Sequence, residues 1–280
     1  MLYRLAAAFL LATIGVTGFA PAAKSWGYDG HRIVALIAIK LLPPEKAQAL
    51  DKLLQESQIG RGFVDASGYA DDVLRAEDKD FDPWHYMTWH ADSKDPADQK
   101  CQPTCLLRAL TEQFRTFKKS TDKEERAFAL SWIIHLIGDM HMPLHVGDLN
   151  DFGGNGFKVT YDGKQFCGKA PPFAPMKPMN LHKVWDECLV LTIKGDRTRE
   201  AVADEIRGSL TTYKGHEYAK GLRRDWAMES HLLARDVYGD LDEKDDIRVG
   251  SEYVTEALKI VRMQLLRAGV RLAWAVDEAI

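Results

Sequence analysis

The sequence has no surplus of positive charge. Its 280 residues carry 37 Lys and Arg against 41 Asp and Glu, a formal net charge of −4. That excludes a protein held to polyanions by bulk basic charge. It does not exclude an anionic substrate, because bound metal supplies positive charge locally. No Asn-x-Ser/Thr triplet occurs, so N-glycosylation is not expected. No repeat, linker or low-complexity tract is present, and 28% charged residues is ordinary for a folded domain. The N-terminal apolar run, Leu5 to Phe19, is shorter than the roughly 20 residues of a membrane span. With Arg4 before it and Ala23-Lys24-Ser25 after it, the run reads as a signal peptide, residues 1–25, cleaved before Trp26. Loss of Arg4 and Lys24 takes the charge from −4 to −6. The mature protein is then expected to be secreted or periplasmic, free of the membrane and monomeric.

Cysteines are few: Cys101, Cys105, Cys167 and Cys188. An even count in an exported chain predicts two disulfides. Joining Cys101 to Cys105 around Pro103 leaves Cys167 with Cys188; other connectivities stay open. The competing reading, a C-x-x-x-C zinc knuckle, lacks a second close thiol pair. Strand signals are scarce too. The one convincing case is FKVTYDGKQF, Phe157 to Phe166, which alternates around Asp162-Gly163 as a β-hairpin does.

Helical patterns fill most of the rest. They run over Gly30–Leu42, from Pro44 to Gln58, near Ser67–Glu77, and over Cys105–Lys119. Thr121 and Glu124 have capping-box spacing before a long helix. Asn180 caps another, and further helices follow at about Thr198–Leu210, Arg224–Tyr238 and Ser251 to the end. The fold class is mainly α: one multi-helix domain, residues 26–280, with a small β-hairpin beside the site.

The chemistry concentrates in HLIGDMHMPLHVGDLNDFGGN, His135 to Asn155. His135 and Asp139, spaced i,i+4, share one helical face. Pro143 breaks the helix, and His145 lies just beyond, able to turn back. The preceding SWIIHLIG is apolar, so these polar groups sit at a buried helix end, where an unpaired Asp is costly. His182 and Asp186 repeat the i,i+4 pair in LHKVWDECLVLTIK. Histidine and carboxylate without thiolate suit a catalytic zinc site. Several such ligands in one cleft suggest more than one ion and phosphoester chemistry.

Together with WGYDGHRIVALIA, YADDV followed by WHY, NLHKVWDE and DWAMESHLLARDVY, the block resembles the zinc-dependent single-strand nucleases of the S1/P1 family. The resemblance covers essentially the whole chain after residue 25. It implies a mainly helical fold with three zinc ions in a cleft. It implies hydrolysis of single-stranded DNA and RNA to 5′-nucleotides and removal of 3′-phosphates from nucleotides. Carried over, it implies one zinc on Asp71, His85, His135 and Asp139. A second would sit on the amino nitrogen and carbonyl oxygen of Trp26, on His31 and on the other oxygen of Asp139. The third would sit on His145, His182 and Asp186. Asp71 would orient the attacking water, and Tyr86, Arg75 and Asn155 would contact substrate. The chain departs from the family pattern in three places. Its Arg comes one position late, at Arg75 after Leu74. Thr88 stands where some members have an acidic base contact, and Met142 where Gln is usual. His90, His141, His216 and His231 match no motif role and read as surface or supporting residues. Two other functions fit parts of the pattern: a zinc-dependent phospholipase C and a secreted zinc-binding protein without turnover.

Overall fold

The computed structural model describes residues 26–74, 77–101, 103–161, 167, 179–239 and 247–280. In chain order its helices are α1 Gly27–Ile39, α2 Pro44–Gln55, α3 Phe63–Ala66, α4 Leu106–Lys119, α5 Lys123–Met140, α6 Pro143–Val146, α7 Leu181–Lys183, α8 Leu189–Lys194, α9 Arg199–Gly208, α10 Thr212–Ala219, α11 Arg223–Tyr238 and α12 Ser251–Asp277. A helix apolar on every side belongs inside a core. α1 comes close to this, buried continuously from Gly30 to Ala38 with His31 and Arg32 as its buried polar residues. It packs against α12, α9 and α5. α5 starts at the surface and ends in the core, buried without a break from Ala129 to Met140. The two helices bring His31 and His135 into a stack, ring centroids 4.1 Å apart. Gly138 makes that approach possible: a Cβ there would lie 2.6 Å from His31 Nδ1.

Helix ends follow local chemistry, sometimes one residue from the expected place. α5 is capped by Asp122, not Thr121; its carboxylate accepts from the Glu125 amide at 2.9 Å. Asn180 caps α7 as expected, accepting from the Lys183 amide at 2.7 Å. Pro143, at the first position of α6, has no amide to lose there. The segment near Asp71 is a π turn, Ala70–Leu74, and a second π turn, Val184–Cys188, joins α7 to α8. Such turns shift side chains off the regular helical register and recur at functional sites. Each of these carries an aspartate of the site.

The first arm of the expected hairpin is β1, Val159–Tyr161. Its return arm, 162–166, lies outside the described residues. β1 pairs in parallel with β2, Ile247–Val249, in a two-stranded sheet with Val159 opposite Ile247. That partner comes from far along the chain, which local alternation cannot announce. Both disulfides, Cys101–Cys105 and Cys167–Cys188, are present. No described helix is long and apolar enough to cross a membrane.

Candidate metal centre

Two helices, a π turn and a 3₁₀ turn converge on one buried cluster. α1 brings His31, α5 brings His135 and Asp139, and the turn Ala70–Leu74 brings Asp71. The 3₁₀ turn Lys79–His85 delivers His85 at its end. Asp139 Oδ1 lies 3.2 Å from His31 Nε2, and Oδ2 lies 3.1 Å from His85 Nδ1 and 3.3 Å from His135 Nε2. Asp71 Oδ1 is 3.7 Å from His85 Nδ1 and 3.9 Å from His135 Nε2. Asp72, its neighbour, turns away to pair with Arg61 at 3.1 Å. A second cluster joins α6 to α7 and its π turn. His182 Nε2 is 3.0 Å from Asp186 Oδ2, and His145 Nε2 is 3.8 Å from Asp186 Oδ1 and 3.2 Å from His182 Nε2.

The hydrogen-bond inventory of the second cluster shows what it fits. His145 Nδ1 faces the His85 carbonyl at 2.7 Å, and His182 Nδ1 faces the Gly153 carbonyl at 2.6 Å. A carbonyl only accepts, so both rings carry their proton on Nδ1. The neutral His145 ring therefore presents its Nε2 lone pair to His182 Nε2 and to the Asp186 carboxylate, and a neutral His182 would present its own to the same point. Three such acceptors repel unless a metal ion lies between them or a proton sits on His182, whose pKa Asp186 raises against the effect of burial. Ligands about 2.0–2.1 Å from a tetrahedral zinc stand roughly 3.3 Å apart, within the range of 3.0 to 3.8 Å seen here. His135 is held the same way, Nδ1 on the Ser67 carbonyl at 2.8 Å, leaving Nε2 for the first cluster. Such carbonyl partners fix the tautomer of a ligating imidazole. Gly153 can offer its carbonyl only because it is glycine: its φ is +62°, and a Cβ would meet the Leu144 oxygen at 2.4 Å.

In the absence of metal the charges lean on one another. Burial opposes ionisation of Asp139, but His135, His31 and His85 outweigh it and hold the carboxyl well below its usual range. Burial also opposes a charge on His135; the Asp139 and Asp71 carboxylates overcome it and lift the pKa to about 9. Burial pushes Asp186 up to about 6 against the pull of His182. It pushes His145 down to about 3, a ring that stays neutral and available as a donor.

All five residues expected at the first two ions apart from Trp26 come together, as do the three expected at the third. The Trp26 backbone nitrogen donates to Asp186 Oδ1 at 3.1 Å. It thus stands beside the second cluster, while His31, on the same helix, faces the first. Tyr86, next to His85, is 45% exposed. Arg75 lies outside the described residues. Asn155 donates from Nδ2 to the Phe152 carbonyl at 2.8 Å, and its Oδ1 accepts from Asn180 Nδ2 at 3.2 Å. Of the other histidines, His90 and His216 are exposed, but His141 and His231 are fully buried. His231 lies against the Val146 and Ser93 carbonyls at 2.9 and 2.7 Å and stacks on Trp89. It ties the turn that carries His145 to the segment after His85. Only its place in an amphipathic helix could have signalled that burial. The carbonyls of Ser67, His85 and Gly153 went unread because a backbone oxygen has no signature in residue type.

A sequence model of the S1/P1 Nuclease family matches residues 26–280. The chain belongs to that family. Relatives of this S1/P1 nuclease include Endonuclease 2 of Arabidopsis thaliana, 26% identical over 96% of this chain and 95% of that protein. Nuclease S1 of Aspergillus oryzae is 28% identical over 90% of this chain and 80% of its own length. Nuclease P1 of Penicillium citrinum is 25% identical over 90% and 97%. Membership makes the chain a hydrolase of phosphodiester bonds in nucleic acids, of a metal-dependent family.

Proposed function

We propose that this S1/P1 nuclease hydrolyses single-stranded DNA and RNA to 5′-nucleotides and removes 3′-phosphates from nucleotides, using three zinc ions. The convergence of His145 Nε2, His182 Nε2 and the Asp186 carboxylate on one point, with both imidazoles anchored through Nδ1, carries the reading, because it is a donor set a metal ion fits. Zinc is favoured by a nitrogen and oxygen donor set whose chain has every cysteine in a disulfide. Asp71, His85, His135 and Asp139 would hold one ion. His31, the second oxygen of Asp139, and the nitrogen and carbonyl of Trp26 would hold another. His145, His182 and Asp186 would hold the third. The leader 1–25 would export the protein and, on removal, free the Trp26 amine.

When bound, zinc lowers the pKa of water and offsets charge on phosphate oxygens. The chain's own groups do the placing. Asp71, kept ionised by His135 and His85 against the opposing effect of burial, accepts a hydrogen bond from the attacking water and aims it at phosphorus. Water oxygen bonds to phosphorus, the bond to the 3′-oxygen breaks, and that oxygen takes up the proton. The products are a 5′-phosphate and a 3′-hydroxyl. Tyr86, exposed at the mouth, offers a face to a base, which a duplex keeps stacked away. The test is a digestion panel of single-stranded DNA, RNA, duplex DNA, 3′-AMP and phosphatidylcholine, with and without chelator. Cleavage of the single strands and 3′-AMP, abolished by chelation and restored by zinc, is expected. Turnover of phosphatidylcholine alone, or of nothing by a metal-loaded protein, would overturn the reading.

A further inference from the structure

A groove of about 510 Å³ shares no residue with the metal clusters. Gln113 and Thr116 of α4 line one wall, Glu124, Glu125 and Phe128 on the first two turns of α5 another, and Tyr69 adds its ring beside them. Gln113 is the informative member. It is only 8% exposed, yet its side-chain amide has no hydrogen-bond partner among the described residues. A carboxamide carries two donors and an acceptor, and buried ones are rarely left unmet. Gln264, the other buried glutamine, shows the ordinary case: its Nε2 donates to the His141 carbonyl and to Ser230, each at 2.9 Å. The amide of Gln113 instead lines an open space.

The rest of the lining decides what suits that space. It includes no Lys or Arg, and Glu124 and Glu125 give it negative charge, so a phosphate is disfavoured. Each carboxylate spends one oxygen within the protein. Glu124 Oε2 accepts from the Gln58 amide at 2.8 Å, and Glu125 Oε2 from the Ser120 hydroxyl at 2.7 Å. A cation would serve these carboxylates, but having only donors it leaves the Gln113 N–H groups unmet. An apolar ligand would leave the whole amide unmet. A hydroxyl both donates and accepts, so it answers the amide and the carboxylates alike. Tyr69 and Phe128 supply aromatic surface for the apolar face of a ring. The volume falls in the range of small-molecule sites, roughly 300–1,000 Å³. We propose that this groove binds an uncharged oligosaccharide, one pyranose ring lying against Tyr69 and Phe128 with its hydroxyls shared between Gln113 and Glu124. The site is separate from the nuclease centre and does not depend on it.

Calorimetric titration of the zinc-loaded protein with cellotriose, maltotriose and triacetylchitotriose tests this, with spermidine as the cationic comparison. At least one trisaccharide should bind with a Kd of about 1 mM or tighter. Gln113→Leu, close in size but without the amide, should weaken that binding roughly tenfold with the melting temperature unchanged. Glu124→Ala, on the exposed rim, should weaken it by a similar factor. No heat from any of the three sugars up to about 10 mM overturns the proposal. So does sugar binding that is equal in wild type and both variants, which would lie elsewhere on the molecule. Tighter binding of spermidine than of every sugar, lost in Glu124→Ala and kept in Gln113→Leu, makes the groove a cation site and overturns it too. Nuclease activity does not enter the readout, so a failure of the nuclease reading leaves this result standing.

Discussion

Asp139 is the residue on which the first cluster turns, because its two oxygens face different histidines, His31 at 3.2 Å and His85 at 3.1 Å. Asp139→Ala is expected to remove two of the three proposed zincs and nearly all activity while His145, His182 and Asp186 keep theirs. Elemental analysis showing a full complement would sink the bridge. Gly138, one residue earlier, tests the same site from the packing side. On helix propensity alone, alanine should stabilise α5 by about 1 kcal/mol. Its Cβ, however, would lie 2.6 Å from His31 Nδ1. Gly138→Ala should therefore displace His31, lose about one zinc and lower activity at least tenfold; unchanged metal content and rate would show that the ring gives way freely. His135, Asp139, His182 and Asp186 were legible because positions i and i+4 share a helical face, a fact of geometry that survives in sequence. The π turns beneath Asp71 and Asp186 were not, nor was the reason for Gly138, which depends on a helix a hundred positions away in the chain.

At the scale of elements, the end of α5 is locked to α12 by a buried polar network. His141 donates from Nδ1 to the Ile137 carbonyl at 2.7 Å and accepts from Arg271 at 2.9 Å. Arg271 also bonds the Tyr218 carbonyl and Glu229, and Gln264 donates to the His141 carbonyl at 2.9 Å. Long helices such as α5 and α12 were readable from their apolar stripes. α10 was missed, and the lock between α5 and α12 was invisible because His141 and Arg271 look like surface residues until the fold buries them. Burial, and then the Arg271 charge, hold the His141 pKa well below its usual value. An unfolded chain protonates this ring near pH 6.5, while the folded one does not. The contribution is therefore complete above about pH 6.5 and is lost as pH falls, by at most about 1.4 kcal/mol per pH unit. Chelated wild-type protein should lose melting temperature between pH 7.5 and 5 more steeply than chelated His141→Gln, which keeps an acceptor but cannot protonate. Parallel slopes would remove His141 as a source of acid sensitivity.

At the scale of the whole molecule, the start of helix α1 connects the clusters: Trp26 is fully buried with its nitrogen 3.1 Å from Asp186, and His31 reaches Asp139. On the proposed assignment, removal of the leader would change the site itself, because Trp26 would become a metal ligand only once that nitrogen is an amine. An amide nitrogen is a poor zinc donor. A free α-amino group has an ordinary pKa of about 7.7–8.0, so zinc displaces a proton already weakly held near neutrality. A form retaining one residue before Trp26, such as an initiating Met, should lose the ion assigned to Trp26 and His31. It should keep the site of His145, His182 and Asp186, whose donors are all side chains. The fold should persist, since α1 is anchored by its continuously buried length from Gly30 to Ala38, while activity falls by orders of magnitude. The comparison is between exported protein shown by N-terminal sequencing to begin at Trp26 and Met-extended protein refolded in excess zinc, with zinc counted and single-stranded DNA cleavage timed in both. Three zincs and an equal rate in the extended form would remove Trp26 from the ligand set and leave His31 and Asp139 to hold their ion with donors other than the chain terminus.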